Sequence, residues 1–255
     1  MPTNPAAPEK PLDLLAVGAH PDDVEISCGG TLAAAASQGL SVGILDLTRG
    51  ELGTNGTPEI RAEEALLAAR ALGVTGRWNA ALPDGGVHAH DPAQVRALAS
   101  LLRALRPDVV VAHYERDRHP DHVAASALTD RAIYLAGLRR FDAEGDPFRP
   151  RARYWFASRI GFTPSFVVDV TGTWEVKRAA IEAHRSQVAR DHAGAKPTPL
   201  NREGFFDFIE ARARHYGGMI GVRYGEPFHA TEPLGVRSLG GLLGAPRPDA
   251  GSFTG

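Results

Sequence analysis

The chain has 255 residues, 43% of them hydrophobic, which suits one large domain with a substantial core. Its formal net charge is −2 and its pI near 6.6, so nothing in the charge argues for nucleic acid or an anionic membrane as a partner. The single cysteine, Cys28, excludes an internal disulfide, and no segment reaches the roughly 20 continuous apolar residues of a membrane span. The N-terminal stretch is polar and proline-rich without an apolar signal core, so the expected location is the cytoplasm.

In chain order, residues 1–11 read as a flexible arm, 12–230 as one domain, and 231–255, rich in Gly and Pro, as a poorly ordered tail. Leu12 to Gly18 predicts a buried strand, and Gly30 to Gln38 a helix ended by Gly39. Ser41 to Leu47 predicts a second strand. A Gly-rich mobile loop, Thr48 to Thr57, follows, and a helix from Pro58 to about Leu72 opens on proline. Val74 to Leu82 reads as a weaker strand, Pro92 to Leu105 as a helix, Pro107 to Ala112 as a strongly buried strand, and Asp121 to Leu138 as a helix. This alternation predicts an α/β fold of Rossmann-like type, a mostly parallel sheet with helices on both faces. Strands at Arg153 to Ala157 and Phe166 to Val170, then helices near Trp174 to His184 and Phe205 to Tyr216, read as a C-terminal extension closing the site.

Two clusters carry the chemistry. Ala19-His20-Pro21-Asp22-Asp23-Val24-Glu25 follows the first strand, and His119-Pro120-Asp121-His122 follows the fourth. Both fall on the edge where open α/β sheets bind ligands. Catalytic zinc keeps about three protein ligands from His, Asp or Glu and leaves a position for water. His20, Asp23 and His122 would supply that set. Asp22 and Asp23 are adjacent and point differently on a turn, so one can bind metal while the other acts as a base. His119 and His122, three apart, share a helix face, as two ligands or as one ligand and one oxyanion-stabilising imidazole. The same His/Asp set also accepts ferrous iron or another divalent ion. Cys28 reads as a packing residue and Trp78, Trp155 and Trp174 as core.

The two clusters together resemble the paired signature of the LmbE-like, or PIG-L-type, metal-dependent N-acetylglucosamine deacetylases. Within that group the Thr48–Thr54 loop, His184-Arg185-Ser186-Gln187 and Tyr224-Gly225-Glu226-Pro227-Phe228 are most similar to the N-acetylglucosaminyl-malate deacetylases of bacillithiol biosynthesis. The resemblance implies His20, Asp23 and His122 as metal ligands, Asp22 as general base, His119 as helper of the oxyanion, and Arg61 as a substrate contact that would read the malate carboxylates. The expected substrate is a small-molecule amino-sugar conjugate, malate-linked, with an inositol-linked or another amino-sugar or thiol conjugate as the alternative. A homo-oligomer is compatible with this reading.

Among the remaining polar residues, Glu51 sits on the Gly-rich loop and is a candidate substrate contact, as is His184 from the extension. Glu25 and Asp121 are expected to orient ligand imidazoles. A nucleotide-binding oxidoreductase would need G-x-G-x-x-G after the first strand, where His-Pro-Asp-Asp stands instead. A non-catalytic sugar-binding module would have no use for a ligand set with a free Asp22 beside it.

Overall fold

The computed structural model describes residues 4–191 and 194–235. Five parallel strands form the body of the sheet: β1 (Leu14–Gly18), β2 (Val42–Thr48), β3 (Gly76–Leu82), β4 (Val109–His113) and β5 (Ala152–Phe156). Two more, β6 (Phe166–Asp169) and β7 (Gly225–His229), complete the order β3-β2-β1-β4-β5-β7-β6, with β7 antiparallel to both its neighbours. The fold is the expected mostly parallel α/β sheet. Every residue of β1 and β2 is buried, which is why these strands read as continuous apolar runs.

The crossover helices have local reasons to start where they do. In α2 (Pro58–Leu72), Thr57 caps the Ile60 amide, Pro58 opens the first turn, and Gly73 closes the helix at φ 70°. In α3 (Pro92–Leu105), Asp91 accepts from the amides of Ala93 and Gln94. In α4 (Pro120–Ala136) the capping side chain is His119, which accepts from the Asp121 amide.

Three features differ from the sequence reading. Helix α1 (Asp23–Ser37) begins seven residues before Gly30 and breaks at Cys28, where φ is −138° and ψ 18°. The break frees backbone groups that distant side chains satisfy. Glu226 on β7 accepts from the amides of Gly30 and Thr31 at 3.0 and 2.7 Å and pairs with buried Lys177, while Arg212 donates to the Ile26 carbonyl at 2.7 Å. These partners lie almost 200 residues away, beyond any local pattern. The N-terminal arm is also pinned: Asn4 exchanges two hydrogen bonds with Asn79, and Trp78 donates to the Pro5 carbonyl at 3.0 Å. Strand β7 and the short α6 (Arg185–Val188) add to α5 (Trp174–Ala183) and α7 (Phe205–Met219) in the C-terminal part. Most of the expected tail, residues 236–255, lies outside the described residues.

The chain runs outward from β1 to β2 and β3, then returns to β4 on the other side of β1. That reversal opens a crevice beyond the carboxyl ends of β1 and β4, the topological switch point of the sheet. No helix among the described residues is long and apolar enough to cross a membrane.

Candidate active site

Both clusters meet at the switch point. The turn after β1 carries His20, Asp22 and Asp23; β4 ends on His113, and the segment after it carries Asp117, His119, Asp121 and His122. Asp22 has φ 124°, a conformation that L-residues avoid and that functional sites retain when their surroundings enforce it. The strained turn sends the side chains of Asp22 and Asp23 to different partners.

Three overlapping groups of candidate ligand atoms lie within 4.8 Å of one another: His20, His119 and His122; Asp23, His113 and His122; and His20, Asp84 and Asp121. The expected trio of His20, Asp23 and His122 straddles the first two. Asp23 touches both imidazoles, with Oδ1 3.1 Å from His122 Nε2 and Oδ2 3.3 Å from His20 Nδ1. The far nitrogen of each ring faces another carboxylate. His20 Nε2 lies 3.0 Å from Asp84 and 3.3 Å from Asp121, and His122 Nδ1 lies 3.5 Å from Asp117.

The charges fit a cation. Burial alone would lower the His20 pKa, but hydrogen bonds to Asp121, Asp23 and Asp84 raise it to about 12. Burial is likewise outweighed at His122, which Asp23 and Asp117 raise to about 9. Asp23 falls well below the usual carboxylate range: its burial is outweighed by His122 and His113. The carboxylates thus hold two extra protons on imidazoles, and a divalent ion among the same donors would replace them. His113 belongs to the wall of this centre. Its Nε2 accepts the Ala19 amide at 3.1 Å, and burial followed by the His122 charge lowers its pKa to about 4. The neutral ring therefore carries its proton on Nδ1, donates to Ser158 Oγ at 3.0 Å and stacks on His122.

Asp22 stands apart from that donor set. Burial raises its pKa to about 6, against the opposing charge of Arg61. His119 is neutral too, lowered by burial and by the charges on His122 and His20. Its Nδ1 accepts the Asp121 amide at 3.3 Å, which leaves Nε2–H as a donor. A titratable carboxylate and a neutral imidazole N–H thus flank the imidazole–carboxylate centre.

Several expected contacts lie elsewhere. Arg61 is only 4% exposed. Its guanidinium donates to the carbonyls of Gly50 and Pro21 at 3.0 and 2.6 Å and to Asp22 at 3.2 Å, so it holds Asp22 and the Gly-rich loop, and it also lines the cavity over the centre. Glu51 accepts from the backbone amides of Arg49 and Asp84, bracing its own loop. His184 and Glu25 are both fully buried, 3.2 Å apart, and Glu25 also pairs with Arg77, which binds Asp46. This network lies behind the turn. His184 therefore does not line the cavity, and Glu25 orients no ligand imidazole. Asp84, Asp117 and His113 were not singled out from sequence, because each is an isolated residue outside the two motifs; only their places at or shortly after the ends of β3 and β4 could have marked them.

The cavity over this centre holds about 410 Å³. One wall is the polar centre with Leu52, Gly53 and Gly85 at its edge. The other comes from the C-terminal part, with Leu200, Phe205, Phe208, Ile209 and Arg212. Arg118 and Arg159 also line it, and Arg159 lies 5.4 Å from the Phe208 ring. Burial and the neighbouring charges of Arg118 and Arg202 lower the Arg159 pKa, against the opposing charge of Asp117.

The fold and the site define an α/β protein with an imidazole–carboxylate centre at the switch point of its sheet. Residues 15–133 match the family model PIG-L, GlcNAc-PI de-N-acetylase. The diacetylchitobiose deacetylase of Thermococcus kodakarensis is 30% identical over 90% of this chain and 84% of its own length. The 1D-myo-inositol 2-acetamido-2-deoxy-alpha-D-glucopyranoside deacetylase of Rhodococcus opacus is 29% identical over 72% of this chain and 84% of its own length. Among solved structures, the conserved protein TT1542 from Thermus thermophilus superposes with a TM-score of 0.81 at 45% identity, covering 88% of this chain and 97% of that one. The chain belongs to the PIG-L, LmbE-like deacetylase family.

Proposed function

We propose that this protein is a zinc-dependent hydrolase, acting in the cytoplasm, that removes acetyl from N-acetylglucosaminyl-malate. His20, Asp23 and His122 would hold the ion, with ferrous iron as an alternative occupant. An ion there supplies Lewis acidity for attack on an amide. Asp22, ionised above about pH 6, takes the proton of the attacking water and returns it to the leaving amine. Arg61 fixes the direction of that carboxylate. His119 Nε2–H donates to the oxyanion that develops on the amide carbonyl.

The observation that carries the malate reading is the pair Arg118 and Arg159 on the cavity lining, with the charge of Arg202 close by. Two guanidinium groups on one cavity lining can bind an anionic aglycone, and a dicarboxylate matches their forked donors. A neutral aglycone, as in the inositol-linked substrate named for the Rhodococcus relative, would leave these two cations without an anionic partner on the substrate.

The deciding experiment measures amine release by the zinc-loaded protein from the malate-linked, inositol-linked and free forms of N-acetylglucosamine. The malate conjugate should react with the highest kcat/KM. Arg159→Ala should raise KM for that substrate on the order of 10-fold, as loss of one charged hydrogen-bonding group does, and leave the inositol conjugate unchanged. Equal kcat/KM on both conjugates would defeat the malate reading and leave the deacetylase.

A further inference from the structure

Asp84 belongs to neither motif, yet its carboxylate joins two parts of the site. It sits in the turn after β3. Oδ1 lies 3.0 Å from His20 Nε2, and Oδ2 accepts the Leu52 amide at 2.8 Å. Its own amide donates to Glu51 at 3.1 Å, and the next amide, Gly85, donates at 2.7 Å to Asp121, the second carboxylate facing His20 Nε2. Leu52 is 71% exposed and, with Gly53, lines the cavity mouth. One side chain therefore holds both the main chain of the outer loop and the ring of a proposed ligand.

An imidazole presents one N–H and one lone pair when neutral, and an ionised carboxylate only accepts. Asp84 and Asp121 therefore keep a proton on Nε2, so the nitrogen left to give up its proton to an ion is Nδ1, on the side of Asp23. His122 is steered separately, by Asp117, whose other contacts are the amides of His119 and Arg159. The two imidazoles answer to different loops, and only that of His20 is tied to the 49–57 loop. We infer that Asp84 is a positioning residue that fixes the tautomer and orientation of His20 and couples them to the seating of that loop. The inference rests on His20 being a ligand, as proposed above.

The test uses the full chain without substrate. Zinc affinity is measured by equilibrium dialysis at fixed pH for wild type, Asp84→Asn, Asp84→Ala and Leu52→Ala, and the His20 tautomer is read from two-bond ¹⁵N–¹H spectra of the zinc-loaded proteins. Asn has one acceptor oxygen and can serve His20 or Leu52 but not both, whereas Ala serves neither. Both variants should bind zinc about 10- to 100-fold more weakly, the usual effect of removing a carboxylate behind a ligating histidine, with Ala the more severe. Protection of the Leu52 amide from hydrogen exchange should fall in the same variants. Leu52→Ala retains the amide, so its zinc affinity should stay at the wild-type value. Unchanged zinc affinity in the Asp84 variants, with only KM raised, would overturn the inference and make Asp84 a substrate contact. His20→Ala separates the two levels. If it retains zinc, the ligand assignment itself fails; if it loses zinc while the Asp84 variants do not, only the coupling fails.

Discussion

The two walls of the cavity are built in opposite ways. The reacting wall comes from short turns at the ends of β1, β3 and β4, packed with carboxylates and imidazoles that face one another at hydrogen-bonding distance. The facing wall comes from the 157–212 region and is mainly apolar, with arginines at its lining. Strand ends held by a packed sheet, with β1 buried along its whole length, can fix side chains to the tolerance that bond-making needs. The facing loops and helices touch that geometry at few points, among them Arg212 on the Ile26 carbonyl. On the proposed function, chemistry falls to one wall and selection of the aglycone to the other.

The largest effects should come from the reacting wall. His20→Ala, Asp23→Ala and His122→Ala should each lose bound zinc and activity together, by more than the 10- to 100-fold expected of an outer carboxylate. Metal analysis of the purified variants checks this, and full occupancy in all three would remove the division between the walls at its root. Asp22→Asn should keep the ion and lower turnover by about 10²-fold or more, because the base lies outside the donor set. Near-normal turnover would move the proton to another group, His119 first. Arg61→Lys sharpens the same division. Lysine cannot reproduce donation to Gly50, Pro21 and Asp22, so kcat should fall alike for malate-linked and inositol-linked substrates. A loss confined to the malate conjugate would return Arg61 to the selecting wall.

The smallest effect is on stability. In the metal-free protein the folded-state pKa of His122 is raised from 6.5 to about 9, so its ion pairs contribute fully below pH 6.5 and are lost as the pH climbs through 9. The melting temperature of metal-free protein should therefore fall across that window. Zinc-loaded protein should show a flatter profile, because the ion takes the place of the proton. Parallel profiles with and without zinc would mean that His122 does not exchange its proton for the ion.

Much of this molecule was legible without coordinates. The strands β1, β2 and β4 are short, buried on both faces and flanked by turn residues, so their apolar runs and the helices between them announced a parallel sheet. Pro58 and Pro92 marked the starts of α2 and α3 because a proline in the first turn is a local signal, and the structure adds the caps Thr57 and Asp91. The two His-Asp motifs were legible for the same reason: each is contiguous, and chain order alone brings both to one sheet edge. What only the tertiary structure decided was how distant polar groups pair. The break in α1 at Cys28 depends on Glu226 and Arg212, the direction of Asp22 on Arg61, and the proton positions on His20 and His113 on Asp84, Asp121, Ala19 and Ser158. A charged residue in a sequence shows what it can donate or accept but not which partner excludes water from it. That choice is made by packing across the sheet, and it turned Glu51 onto its own loop and joined Glu25 to His184 and Arg77 behind the turn.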